Sequence, residues 1–312
     1  MYKSKYKYTF VLNKNKKIII MKITLTGSLG NISKPLAKQL IASGHEVTII
    51  SSSADKIKGI EALGAKAAIG SIADAAFLTR AFAGADVVYT MVPPNFGVTD
   101  YRKYVSDSAR NYAEAIRNNN ITRVVNLSSI GADIDGGTGQ ISGVHDGEKV
   151  LNALEGVAIK HLRAGFFYVN LYANIDMIKH LGFIGANYGA DTRMIMVHPE
   201  DIAAAVAEEL QTPFTGKSVR YITSDERSAG EVASVLGAAI GKPDLKWVKF
   251  TDEQALDGML QAGLPEPISR NFIEMNNAVG SGILWKDYDA LGNKPTGKIK
   301  LEDFAKEFAE RF

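Results

Sequence analysis

The sequence predicts a doubly wound α/β fold: a parallel sheet with helices on both faces, followed by a smaller α/β lobe. Three observations carry that prediction. Lys22-Ile-Thr-Leu-Thr runs into the tight turn Gly27-Ser-Leu-Gly30, and a helix-period stretch follows from Ser33 with Leu36, Leu40 and Ile41 on one face. Gly44 stops that helix and a second strand follows at Glu46–Ile50, so strand, glycine turn, helix and strand fit in under thirty residues. Short apolar strands and amphipathic helices then alternate to about residue 165, after which the pattern loosens.

The opening unit is that of a nucleotide-binding βαβ motif of Rossmann type. Gly27 permits the sharp turn, and Gly30 lets backbone N–H groups approach a pyrophosphate at the helix N-terminus. A Gly-x-x-Gly turn alone is common; here the surrounding βαβ unit points to a dinucleotide. Gly27, Ser28, Leu29, Gly30, Asn31 and Ile32 are the expected phosphate-binding residues.

Composition bounds the remaining classes. At 312 residues the chain can bury a large core, and 46% hydrophobic with 22% charged residues is ordinary for a globular protein. With no cysteine, thiol nucleophiles, disulfides and Cys-based zinc sites are excluded, which fits a reducing cytoplasm. The formal charge of +2 is uneven: residues 1–20 hold six lysines and no acid, leaving the rest at −4. A mildly acidic body argues against a nucleic-acid footprint. No run approaches the roughly 18 apolar residues of a membrane span, and the apolar pieces of the tail are too short for a signal-peptide core. Residues 1–20 read as an unstructured extension, and Met21, just before the first strand, is a candidate translation start.

Taken in order, Ser51-Ser-Ser-Ala-Asp-Lys56 follows the second strand, where an NAD-specific protein usually places an acid for the ribose 2′-hydroxyl. Ser51, Ser52, Ser53 and Lys56 suit a 2′-phosphate instead, which favours NADP over NAD. A helix (Lys56–Leu63) and a strand (Ala65–Ala68) lead to Ser71 and Ile72, expected beside the adenine, and Asp74 caps the helix Ala75–Phe82. The strand Asp86–Met91 ends in a stiff loop that sets Met91, Val92 and Pro93 near the cofactor. A helix (Val98–Arg117) and a strand (Arg123–Leu127) follow. Ser128 and Ser129 then lie at the carboxyl end of the sheet, where such folds place their ligand crevice.

Gly131–Gly143 reads as a flexible loop, His145 as the opening of a helix to about Leu154, and Val157–Arg163 as the sixth strand. Beyond them come short strands at Phe183–Asn187, Met194–Val197, Ser218–Ile222 and Leu245–Phe250. Helices are expected at Pro199–Leu210, Ser228–Ile240, Asp252–Ala262, Glu266–Ala278 and Glu302–Phe312. The division is thus a Rossmann domain over 21–165 and a mainly substrate-capping lobe over 166–312, some of whose segments return to the main sheet.

These stretches resemble the NmrA-like, NAD(P)-binding branch of the atypical short-chain dehydrogenase/reductases, which includes quinone oxidoreductases. The resemblance rests on Thr26-Gly-Ser-Leu-Gly-Asn-Ile-Ser33, Gly44-His-Glu-Val47, Asn126-Leu-Ser-Ser129, Leu162-Arg-Ala-Gly-Phe-Phe167 and Val197-His-Pro-Glu-Asp-Ile-Ala203. It extends from Met21 to about Leu210. The departures are Ser33 for the third glycine, Ser52 where many NADP-binding members carry Arg, and Ser71 where an acid is common. The superfamily's Tyr-x-x-x-Lys pair is also changed, to His145-x-x-x-Lys149.

The resemblance implies Lys149 as a ribose or nicotinamide ligand and Ser128 as a hydroxyl beside a substrate carbonyl. His145 is either a proton donor, as imidazole chemistry permits near neutral pH, or merely a helix-start residue. Phe166, Phe167 and Tyr168 are the expected walls of an apolar pocket, with Asn170 as an amide donor to substrate or carboxamide. No metal is implied, His198 reads as structural, and hydrolase-elbow and P-loop signatures are absent. The activity implied is hydride transfer from NADPH to a small apolar quinone or conjugated carbonyl. The alternative is a non-catalytic NAD(P)-sensing regulator; a sugar-nucleotide epimerase is disfavoured by the missing tyrosine. Monomer and homodimer both remain open.

Overall fold

The computed structural model describes residues 10–13 and 16–312. The extension expected over residues 1–20 thus falls partly outside the described residues. Within it β1 (Phe10–Asn13) pairs antiparallel with β2 (Lys16–Ile19). The first half of the chain then alternates as β3 (Lys22–Leu25), α1 (Ser33–Ala42), β4 (Glu46–Ser51), α2 (Ile57–Glu61), β5 (Lys66–Ile69), α3 (Ala75–Ala81), β6 (Val87–Thr90), α4 (Tyr101–Asn118), β7 (Arg123–Ser129), α5 (Gln140–Asn152) and β8 (Ala158–Ala164). Next come β9 (Phe166–Phe167), α6 (Ile175–Leu181), β10 (Ile184–Ala186), β11 (Arg193–Val197), α7 (Pro199–Gln211), β12 (Lys217–Ile222) and β13 (Asp225–Ser228). The chain closes with α8 (Ala229–Ala239), β14 (Trp247–Lys249), α9 (Asp252–Gln261), α10 (Glu266–Ser281), α11 (Lys286–Ala290) and α12 (Leu301–Arg311).

Seven strands form one parallel sheet in the order β12-β8-β7-β6-β3-β4-β5, which bears out the doubly wound α/β class. The chain steps outward from β3 to β5, then crosses back to β6. The switch point, and with it the crevice, therefore lies at the carboxyl ends of β3 and β6. One face is sealed by Leu36 and Leu40 of α1 and by Ile202, Val206 and Leu210 of α7, packed on Ile23, Leu25, Val47 and Ile49. Each such side chain contributes about 1.5–3 kcal/mol by leaving water. Leu78, Phe82, Tyr112 and Ile116 cover the other face.

A polar row crosses this otherwise apolar sheet. Thr90 donates to Asn126 (2.9 Å), the Asn126 amide reaches His161 Nδ1 (3.1 Å), and His161 Nε2 reaches Asn152 of α5 (3.0 Å). Buried polar atoms are thereby paired strand to strand.

The C-terminal lobe has its own core, with Tyr168, Tyr188, Met194, Val232, Leu236, Trp285, Phe304 and Phe308 among its buried members. Its strands form a parallel pair, β10 with β14, and a sheet in the order β13-β11-β9. Asp201, in the first turn of α7, accepts from the amides of Lys298 and Ile299 (both 3.0 Å) and from the Ser224 hydroxyl (2.7 Å), tying the C-terminal strap to the main sheet layer. His198 caps the same helix through Glu200 N–H (3.2 Å) and faces Glu307, a structural role. Among the described residues no helix is long and apolar enough to cross a membrane.

Several boundaries differ from the sequence reading. α5 starts at Gln140, not His145, because the positive-φ residue Gly139 caps it with no side chain to signal the start. α4 starts at Tyr101, not Val98, because Asp100 accepts the amide of Lys103 and closes its first turn. β9, β13, α6 and α11 were not expected; they are two to seven residues long and held by tertiary partners, not by a period of their own.

Candidate active site

The turn after β3 is locked before any ligand arrives. Thr26 Oγ1 accepts from the Met91 amide (2.8 Å) and donates to its carbonyl (3.2 Å), joining the ends of β3 and β6. Gly27 has φ +93°, and a Cβ there would stand 2.5 Å from Ser33 Oγ and 3.0 Å from Met91 Sδ. Ser28, at φ +55°, is a rare non-glycine residue in left-handed conformation. Its amide holds Ile50 O (3.0 Å) and its hydroxyl holds Ser51 Oγ (2.9 Å), so the strain is fixed by the end of β4. Ser33, the first residue of α1, turns its hydroxyl inward onto Thr26 O at 2.8 Å.

The N-terminus of α1 carries no side-chain cap. Within its first turn the Lys34 amide is bonded to Gly30 O (3.1 Å) and Pro35 has no N–H. The Ser33 amide, with those of Asn31 and Ile32 just before it, is therefore what the turn offers an anion, and the helix dipole adds to the attraction. Gly30 and Asn31 are exposed, Leu29 is half-buried, and Ile32 is buried beneath the turn. Gly27–Ile32 thus forms a preset cradle that fits a pyrophosphate.

Beside it, Ser51 is buried while Ser52 and Lys56 are exposed and Ser53 is half-buried. The Ser51 hydroxyl also takes the Ser53 amide (3.2 Å), shaping the turn. The amide of Gly70, just past β5, reaches Ser51 O (2.9 Å), which sets exposed Ser71 and half-buried Ile72 next to this turn. On the other side, Met91, Val92 and Pro93 are half-buried along the β6 exit. Tyr112 donates to Met91 O (2.7 Å) and Tyr104 to Pro93 O (2.9 Å), so the loop is fastened to α4.

At the end of β7 the structure corrects the catalytic expectations. The Ser128 side chain is buried and donates to Glu148 Oε1 at 2.5 Å, so its hydroxyl is committed to a carboxylate and not free for a substrate carbonyl. Glu148 in turn accepts two bonds from Arg163, at 3.1 and 2.8 Å. Arg163 also reaches Tyr221 (3.1 Å) and Asp287 (3.3 Å), with Asp133 at 3.5 Å. Burial works against the charge of the guanidinium, but the bonds and charge of Glu148, with Tyr221, outweigh it and raise its pKa above the ordinary value. On α5, Glu148 is turned to the sheet, as is Leu151 one turn further on. His145 is half-buried and its Nδ1–H donates to Ala132 O (2.8 Å), in the turn just past β7. That bond fixes a tautomer that leaves Nε2 as the available nitrogen. Lys149, one turn further along, is exposed.

The expected pocket wall also divides. Tyr168 is fully buried and stacked on Phe304 at 5.3 Å, so it is core and cannot meet a ligand. Phe166 and Phe167 are half-buried in β9, paired to Met196 and Val197, and Asn170 is exposed on the 3₁₀ turn that follows. Glu148 and Arg163 were not singled out from the sequence as site residues. Their partners lie as far away as Asp287, and the only hint was Arg163 within the motif Leu162–Phe167.

Comparison with known proteins agrees with this geometry. Residues 27–159 match the family described as NAD(P)H-binding. An NAD(P)H azoreductase of Xenophilus azovorans is 27% identical over 294 residues, covering 93% of this chain and 99% of the relative. Among solved structures, a Citrobacter triphenylmethane reductase superposes with a TM-score of 0.77 at 18% identity, over 93% of this chain and 99% of that one. The NADPH-dependent quinone oxidoreductase of Escherichia coli, solved with NADPH, gives 0.76 at 20% identity, over 91% and 99%. A nucleoside-diphosphate-sugar epimerase from Staphylococcus aureus shares the fold at 0.72 and 16% identity, over 92% and 100%. The resemblance read from the sequence is borne out at this level: residues 27–159 match the NAD(P)H-binding family, and the sheet they contribute to is Rossmann-like.

Proposed function

We propose that the protein is an NADPH-dependent reductase acting on an apolar quinone or similar conjugated acceptor. The observation that carries the reading is the uncapped, pre-strained cradle Gly27–Ile32 at the sheet's switch point, in a chain whose relatives include an azoreductase and a quinone oxidoreductase. Ser52, Ser53 and Lys56, with the neighbouring Ser71, support NADP over NAD, since hydroxyls and an ammonium suit a 2′-phosphate. Bound there, NADPH supplies a hydride, two electrons with one proton.

The chain's own residues then orient and protonate. Hydride arriving at a quinone leaves an aromatic oxyanion, and one further proton completes the hydroquinone. His145 is the candidate donor when doubly protonated, from Nε2, because Nδ1–H is held by Ala132 O. Lys149 stands exposed one turn along the same helix face and supports the ribose or the developing charge electrostatically. The stabilised oxyanion lessens the need for the absent tyrosine.

The test is loss of reduced-nicotinamide absorbance against a quinone panel, with NADPH and NADH compared. Turnover with at least one quinone supports the reading, and none with any acceptor overturns it. One observation favours a second reading, a non-catalytic dinucleotide sensor: the Ser128 hydroxyl is withheld by Glu148. Unequal affinity for oxidised and reduced cofactor without turnover would identify it.

A further inference from the structure

Past the β6 exit the chain builds an aromatic group that neither the phosphate cradle nor the buried ion network uses. Phe96 is 40% exposed, the only aromatic among the large apolar side chains that stand exposed among the described residues. One side of its ring is backed by Tyr101 at 6.2 Å, stacked within 28°. Phe272 of α10 lies 5.5 Å away and tilted by 60°, so the group joins the nucleotide domain to the C-terminal lobe. The loop beneath is held by the bond from Tyr104 to Pro93 O.

The position of this group bears on the reaction. Met91, at the root of the loop, has its Sδ 3.0 Å from where a Gly27 Cβ would stand, so the loop springs from beside the phosphate cradle. Val144, the neighbour of His145, packs against the same apolar cluster from α5. The aromatic group thus shares its loop with Met91 beside the phosphate cradle and its cluster with Val144 of the proton-donor helix, with part of one ring left in solvent. Exposure of an aromatic ring in a fastened loop, backed by other rings, is a geometry that an offset-stacked planar partner completes.

Resting on the reductase reading, we infer that Phe96, buttressed by Tyr101 and Phe272, is a specificity-determining shelf on which the outer rings of a planar, multi-ring acceptor stack. A single-ring acceptor has no second ring to lay there and gains nothing from it.

The experiment compares Phe96→Ala and Phe96→Leu with the wild type, using benzoquinone and the three-ring phenanthrenequinone as acceptors and calorimetry for NADPH. Both substitutions are expected to lower kcat/KM for the three-ring acceptor about three- to tenfold, chiefly through KM. Benzoquinone should change less than about twofold, NADPH affinity should hold, and Phe96→Tyr should restore the preference. An unaltered three-ring acceptor, or equal losses for both acceptors, overturns the shelf. If the wild type turns over neither, the reductase reading fails by itself. The shelf is then read by calorimetric binding of phenanthrenequinone to the NADPH complex: weaker binding to Phe96→Ala sustains it, and equal or absent binding refutes it.

Discussion

Replacing Arg163 by methionine is expected to destabilise the protein by about 3–5 kcal/mol, the penalty of leaving a buried carboxylate without its partner. The side chains of Arg163 and Glu148 are 9% and 7% exposed, so solvent does little to screen the pair. Without the guanidinium, Glu148 keeps only the Ser128 hydroxyl as a donor among the side-chain bonds it makes. Glu148→Gln is the milder change. Arg163 still has Asp287 at 3.3 Å and Asp133 at 3.5 Å, so the loss is about 1–2 kcal/mol, that of weakened hydrogen bonds. Removing both charges together should cost less than the sum of the single changes, since neither ion is then left alone. Urea unfolding at neutral pH, followed by far-ultraviolet dichroism and tryptophan fluorescence, measures all three variants. Both tryptophans, Trp247 and Trp285, belong to the C-terminal lobe, so fluorescence reports whether the Asp287 end of the network loosens first. An Arg163→Met protein within about 1 kcal/mol of wild type, or a strictly additive double variant, would refute the reasoning.

Two further outcomes follow from other groups. Burial, with the Arg163 charge nearby, holds the His161 imidazole below its ordinary value of 6.5. The unfolded chain therefore takes up that proton at higher pH than the native protein does. The contribution of His161 to stability is complete above pH 6.5 and is lost as pH falls through the lower, folded value. Urea midpoints measured down to mildly acid pH should fall in the wild type and fall less in His161→Gln; parallel slopes would exclude this cause. At the ribose turn, Lys56→Ala should weaken NADPH about three- to tenfold by calorimetry and leave NADH unchanged. Equal effects on both dinucleotides would remove Lys56 from the 2′-phosphate site.

Much of the Rossmann half was legible because its signals are local. The run into Gly27 and Gly30, the Leu36–Leu40 stripe and the Asp74 cap each act within a few residues, and the structure keeps them all. The start of α5 was hidden because Gly136-Gly-Thr-Gly139 reads as loop, whereas Gly139 is a helix boundary pressed against Asn271 of α10. A Cβ there would stand 2.0 Å from Asn271 O, a constraint set by a residue far along the chain. Ser128 and Tyr168 were misjudged for the same reason. Their partners, Glu148 and Phe304, belong to other elements, and no spacing in the sequence announces a buried carboxylate or a stacked ring. Phe96 and Phe272 likewise meet only through the docking of the C-terminal lobe.

The central claim is that Gly27–Ile32 cradles a dinucleotide, and calorimetry of NADPH binding to wild type, Ser33→Gly and Gly27→Ala tests it most directly. Wild type and Ser33→Gly should bind in the micromolar range or tighter. Gly27→Ala, forced to place a Cβ 2.5 Å from Ser33 Oγ at φ +93°, should lose at least about tenfold while the far-ultraviolet spectrum holds. Absence of binding by both NADPH and NADH to the wild type, or an undiminished Gly27→Ala, would contradict the account.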